Sequence, residues 1–216
     1  MNKVHCIGLN IINTNFSRLQ ILGDLLRTSC LAILLLTVLT GVLYPCLVTH
    51  LAAWFFPWEA NGSLIIQNQQ IIGSKLIGQW FTTDNYFWGR PSAMKQAPYY
   101  GIQSTGSNYA PTNHEFLSLV HTRVAALTPW LSARYPLIPV DLVTASASGL
   151  DPDISPVAAF FQVERIAQIR NLTTRSLYAL IHAQIIPRSF GCLGEPRVNV
   201  LQLNLALDNL AAHHGR

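Results

Sequence analysis

The sequence predicts an α+β protein with one N-terminal transmembrane helix followed by a single mixed α+β extracytoplasmic domain. Three observations predict it. No charged residue lies between Arg27 and Glu59, and no second stretch of this kind follows. The remainder, residues 52–216, is the length of one domain. Within it, short β-prone runs alternate with stretches of helical period.

The apolar core of the first segment reads CLAILLLTVLTGVLYPCLVTHL, Cys30 to Leu51. About 20 apolar residues at helical rise cross the hydrocarbon of a bilayer. Residues 28–51 are therefore expected to span, with Leu31, Leu35, Leu39, Gly41 and Pro45 in the anchor. Lys3, Arg18 and Arg27 precede the span against one acid, Asp24, and the next Lys or Arg is Lys75. Positive charge close to a span stays in the cytoplasm. Residues 1–27 are thus expected to form a cytoplasmic tail, with the head outside. Trp54, Phe55, Phe56 and Trp58 mark the outer interface, because amphipathic rings favour headgroup level. Gly41 and Pro45 weaken the helix locally, so a kink is expected near its outer end. A cleaved signal peptide needs a shorter apolar region and small residues at the cut. A lipoprotein needs small residues before its cysteine, and Leu43, Tyr44 and Pro45 precede Cys46. The long, weakly patterned leader leaves Met1 open as the true start.

Three of the 14 Lys/Arg and one of the 10 Asp/Glu lie before the span, leaving eleven against nine in the head. That balance, with no basic run, argues against nucleic acid. Cys192 is alone in the head, so no disulfide forms within it.

Along the head, Ser63–Ile66 and Gln70–Ile72 read as a hairpin around Gln67–Gln69. A Gly/Pro-rich loop region covers 78–111 and contains Tyr86, Phe87 and Trp88. Thr112-x-x-Glu115 reads as a capping box. Behind it, Phe116, Leu119, Val120, Val124 and Leu127 share one helical face. Val140–Ala145 reads as a buried strand. Ser155 and Pro156 open a helix to about Arg170. Thr173 or Thr174 opens the next, stopped by Pro187. The apolar alternation of Val198–Leu207 changes phase at Val200–Leu201, which predicts a bulge or a strand running into a helix.

The search for chemistry is mostly negative. A phosphate-cradling G-x-x-x-x-G-K-[ST] and a G-x-S-x-G elbow are absent from the sequence. Ser146 and Ser148 lie in TASASG, and a single-pass extracytoplasmic serine hydrolase using Lys75 or Lys95 is the alternative reading. Turn residues are the simpler account of such a cluster. Asp151 and Asp153 flank Pro152, but a calcium loop needs more oxygen ligands. His114, His121, His213 and His214 lack metal-binding spacing. Arg90, Arg197 and Glu195 are candidates to pair across the fold. Tyr86-Phe87-Trp88-Gly89-Arg90 combines the residue types of interface hot spots, and rings covering a small core fit it equally.

Several strings resemble the C subunit of the Kdp-type potassium-transporting ATPase. They are GVLYPCLVT (41–49), NGSLI (61–65), GSKLIGQWF (73–81), YFWGRPSA (86–93), GSN (106–108), PTN (111–113), PVDLVTASASGLDPDISP (139–156) and GEPRVNVLQLNLALD (194–208). They keep family order. Tyr109-Ala110 departs from the usual Leu-Gly, Asp153 stands where His is usual, and Cys192 replaces a bulky apolar residue. The resemblance implies a non-catalytic accessory subunit of a bacterial inner-membrane complex that imports potassium at the expense of ATP. Its partners would be a pore subunit, a P-type ATPase subunit and a very small helical subunit. It implies a role in assembly and, as a catalytic chaperone, in raising the ATP affinity of the ATPase subunit. No cofactor of its own is expected. ATP, Mg and K are expected to be handled by the partners; transient sharing of ATP would require the head to be inside, against the charge asymmetry. Tyr86, Phe87, Trp88, Arg90, Asn108, Asn113, Asp151, Glu195, Arg197 and Asn199 are the expected partner interface.

Overall fold

The computed structural model describes the backbone of residues 5–94 and 97–214, and the side chains of residues 18, 20–94 and 97–212. The chain divides into two compact units at Asn61 and Gly62.

In the first unit, helix α1 (His5–Val38) passes into a π-helical stretch, Leu39–Leu43, and then into α2 (Tyr44–Phe55) and α3 (Pro57–Ala60). The helix runs unbroken through residues 27 and 28, so no structural step separates tail from span. Gln20–Phe55 is a helix long and apolar enough to cross a membrane, with a mean hydropathy of 2.4 in its most apolar stretch and no part of that stretch buried. At 1.5 Å per residue it measures about 54 Å, well beyond a hydrocarbon core of about 30 Å. Leu31, Leu35 and Leu39 are all exposed.

Where the sequence predicts a kink, just before Pro45, the structure has the π-helical stretch Leu39–Leu43. Tyr44 N–H donates to Leu39 O, a bond five residues back. Pro45 has no N–H for the Gly41 carbonyl, and its ring crowds that carbonyl. Widening the preceding turn to the π form relieves the crowding.

In the second unit, β1 (Leu64–Gln67) and β2 (Gln70–Ser74) form an antiparallel hairpin with a bulge between Ile65 and Ile66. Its two turn residues, Asn68 and Gln69, both have positive φ, 51° and 64°. This is the primed turn geometry that matches strand twist. A loop region follows, as expected. Then come α4 (His114–Leu127), β3 (Asp153–Ile154), α5 (Pro156–Phe161), α6 (Val163–Arg170), α7 (Thr174–Gln184), β4 (Ile185–Ile186), β5 (Arg197–Asn199) and α8 (Val200–His214). The short strands form an antiparallel sheet in the order β3-β5-β4. The core is mostly helical: Ile154, Ala158, Ala159, Phe161, Val163, Ile166, Leu177, Ile181, Val198, Leu203 and Leu207 are buried together.

Four expectations need correction. The α4 cap is Asn113, not Thr112; its side chain accepts from the N–H groups of Glu115 and Phe116. Asn is the stronger cap because its carbonyl reaches two orphan donors. Residues 140–145 are not a strand. Val140–Leu142 is a 3-10 turn set by Pro139, and Val140 is exposed. The helix from Ser155 is interrupted at Gln162, which separates α5 from α6. Finally, Arg90, Arg197 and Glu195 do form ion pairs, but with Asp151, Asp153 and Arg188 and not with one another.

Ser155 caps α5 through Ala158 N–H, and Thr173 caps α7 through Ser176 N–H. The phase change at Val200 is a strand running into a helix. Asn199 ends β5, and its Oδ1 accepts from Gln202 N–H at 3.1 Å, capping α8.

Candidate functional site: a clamped aromatic segment

Residues 84–88 pair with no strand. Their backbone is held instead by side chains from α6, α8 and the junction between α5 and α6. Asn204 on α8 accepts from Phe87 N–H at 2.9 Å and donates to Phe87 O at 3.0 Å. Gln162, between α5 and α6, accepts from Trp88 N–H at 2.7 Å and donates to Trp88 O at 3.1 Å. Each amide carries both a donor and an acceptor, so each mimics one rung of a β-ladder. Arg170 Nε donates to Asn85 O at 2.7 Å.

Arg165 completes the clamp. It is 2 % exposed. Its guanidinium donates to Asp84 O, to Tyr86 O at 3.0 Å and to Gln162 Oε1 at 2.7 Å. The Trp88 ring lies beneath it, 3.6 Å from Cζ to the ring centre. Burial pushes its pKa down to about 10, and the nearby Asp84 charge opposes that shift. Carbonyl oxygens and a π face thus stand in for a contacting carboxylate.

The expected interface residues sort as follows. Phe87 is wholly enclosed in the core. Tyr86 donates to Asp208 at 3.0 Å, with Arg170 over its ring. Arg90 pairs with Asp151 at 3.2 Å. Asp151 also accepts from Asp153 N–H, and Asp153 pairs with Arg197 at 3.0 Å. Asn199 donates to Lys75 O and to Asp153. Asn108 takes a left-handed backbone, φ 50°, which Asn tolerates better than most residues. Asn113 caps α4. Glu195 pairs with Arg188 at 2.7 Å on the surface. The structure joins Tyr86, Phe87 and Trp88 with Gln162, Arg165 and Asn204. It joins Arg90 and Asp151 with Tyr99, whose hydroxyl donates to Arg90 O at 2.5 Å.

The serine alternative finds no support. Ser146 is buried, and its Oγ accepts from Gly149 N–H at 2.9 Å. Ser148 Oγ accepts from Leu150 N–H at 3.1 Å. Both act as turn hydroxyls, and Gly149 has φ 69°. Lys95 lies outside the described residues. Among the described residues no group of three or more His, Cys, Asp or Glu side chains converges as a metal site. The side chains of His213 and His214 lie outside the described residues.

Gln162, Arg165 and Asn204 are not among the residues that the sequence singles out. A signal existed: Gln162 and Arg165 lie three apart on a face otherwise built from Ala158, Ala159 and Ile166. Polar residues at i and i+3 on a buried face require partners.

Residues 26–209 match the family model described as the K+-transporting ATPase, c chain. A potassium-transporting ATPase KdpC subunit of Polynucleobacter asymbioticus is 54% identical over 181 residues, covering 83% of this chain and 96% of the relative. That of Herpetosiphon aurantiacus is 52% identical, over 85% and 95%. That of Methylococcus capsulatus is 50% identical, over 85% and 97%. This chain belongs to the KdpC family, the c chains of the K+-transporting ATPase.

Proposed function

We propose that this chain is the non-catalytic accessory subunit of an ATP-driven potassium-import complex of the bacterial inner membrane. It assembles with a pore subunit, a P-type ATPase subunit and a small helical subunit. The observation that carries the reading is the family match over residues 26–209, which takes in both the apolar helix and the head. The helix anchors the chain once, with its N-terminus inside and the head outside. The charge asymmetry of Lys3, Arg18 and Arg27 supports that orientation. A single helix encloses no ion path, so partners supply the pore.

In this arrangement the head does not touch cytoplasmic ATP. Its effect on ATP affinity is a coupling free energy carried through partner chains, of about 1–3 kcal/mol. ATP, Mg and K are handled by those chains. Potassium-stimulated ATPase of the purified complex, titrated with ATP with and without this chain, tests the reading. The apparent ATP affinity should fall by about 5- to 150-fold without it. An unchanged ATP dependence would overturn the chaperone role.

A further inference from the structure

Among the described residues, a half-buried cation of α4 stands in no ion pair. Arg123, on α4, donates Nη1 to Val143 O at 2.9 Å and takes part in no ion pair among the described residues. Arg90, Arg170, Arg188 and Arg197 each have one. Burial lowers the Arg123 pKa from its ordinary value, and no neighbouring acid restores it.

Arg123 and Ser92 form a wall common to two adjoining clefts. The first, about 310 Å³, is apolar, lined by Trp80, Phe81, Trp88, Leu127 and Leu142 among others. The second, about 630 Å³, is more polar, with Gln103, Thr105, Ser107 and Tyr109. Glu115, the acid on its lining, is engaged by the Tyr109 hydroxyl. At the rims, Trp80 is 54 % and Leu119 39 % exposed. Side by side, the clefts offer an apolar pocket, then a cation without an acid, then hydrogen-bonding groups.

We propose that this trough seats an extended polypeptide segment of another subunit, with an Asp or Glu carboxylate on the Arg123 guanidinium. An apolar side chain of that segment fills the first cleft, and its polar groups lie in the second. Charge complementarity chooses the acid, because a half-buried guanidinium binds a carboxylate bidentately. Side chains spaced along an extended peptide reach the apolar cleft, the cation and the polar cleft in turn, and the hydrogen-bonding groups of the second cleft suit its backbone amides. An aromatic cleft beside an Arg is also the composition of an interface hot spot. This inference rests on the proposed assembly with partner subunits.

The test uses the tagged full chain, expressed with its partners and purified in mild detergent. A photoreactive phenylalanine analogue replaces Trp80, and cross-links are mapped by mass spectrometry. Arg123→Glu and Arg123→Lys are purified in parallel. The expected result is a cross-link to a partner-subunit peptide that contains an Asp or Glu. Arg123→Glu should lower partner recovery by at least about tenfold, since breaking a buried charge pair acts strongly on dissociation. Arg123→Lys should retain part of it. If Arg123→Glu fails to fold, as read by its thermal unfolding, the cross-link alone decides. A cross-link to lipid, to a second copy of this chain or to nothing would overturn the trough, as would full recovery with a folded Arg123→Glu. Wild-type chain that brings no partner would instead overturn the assembly reading, and this one with it.

Discussion

The Arg165 guanidinium lies 3.6 Å above the centre of the Trp88 ring, while its nitrogens hold the carbonyls of Asp84 and Tyr86. One side chain thus fixes both the path of the segment and the seat of its largest ring. Arg165→Ala removes the stacking and strips the donor from the part-buried carbonyls of Asp84 and Tyr86. The loss should be about 3 kcal/mol, because a hydrogen bond from a charged donor contributes about 1.5–3 kcal/mol and the cation–π contact adds to it. Arg165→Lys should recover only part, because an ammonium lacks the planar fork. Urea unfolding of the detergent-solubilised chain, followed by tryptophan fluorescence, measures both.

Asn204→Ala strips a donor and an acceptor from Phe87 at once. Leaving buried backbone groups unsatisfied costs about 1–3 kcal/mol. Asn204→Leu should be no better, since its shape fits but both backbone groups stay orphaned. The same unfolding measurement checks it.

Much of the head is legible in the sequence where a local rule decides. The hairpin is legible because Gln67–Gln69 separates two β-prone runs, and α5 because Ser155–Pro156 is both cap and first-turn signal. The phase change at Val200 marks the strand-to-helix junction correctly. Tertiary context decides the rest. Val140–Ala145 has strand-like composition, yet β5 takes β3 and β4 as its neighbours, and Pro139 turns the chain before a strand forms. Thr112 and Asn113 are adjacent cap candidates that differ only in reach. The face shared with Gln162 marks Arg165 as needing a partner, but the partner, loop 84–88, lies 77 or more residues away and no local rule names it. The aromatic segment was ambiguous between core and surface. Phe87 proves to be core, and its neighbours Tyr86 and Trp88 are half-buried.

Gln69 has φ 64° in a two-residue turn after Asn68. A left-handed backbone costs a non-glycine residue about 1–2 kcal/mol. Gln69→Gly creates the Asn-Gly pair that this turn favours. The flexibility of glycine in the unfolded chain offsets part of the gain. Stability of the head should rise by about 0.5–1 kcal/mol, read as a higher unfolding midpoint.

Burial pushes the Tyr99 phenol up to about 12 from 10.0, with Asp151 adding to the rise and Arg90 opposing it. The folded state therefore holds this proton more tightly than the unfolded state. Its stabilising contribution is fully present below pH 10 and is lost as pH rises toward 12. Tyr99→Phe should flatten the fall of stability across that window. It should also lower stability at neutral pH by about 1 kcal/mol, because the hydrogen bond to Arg90 O goes. Unfolding midpoints of both proteins between pH 7 and 12 measure the difference.

Cys192 is exposed in the head, which makes it a reporter of sidedness. A membrane-impermeant maleimide added to intact spheroplasts should label the chain expressed alone and spare Cys192→Ser. Labelling that requires permeabilised membranes would place the head inside, against the charge asymmetry.

The proposed role requires this chain to sit in a potassium-transporting assembly. The most direct measurement is recovery of the C-terminally tagged protein from potassium-starved cells, with the co-purifying chains identified and the eluate assayed for potassium-stimulated ATPase. A P-type ATPase chain, a large pore chain and ATP hydrolysis that rises with potassium should elute with it. A folded, membrane-extracted chain that elutes without these partners and without that activity would contradict the proposed role.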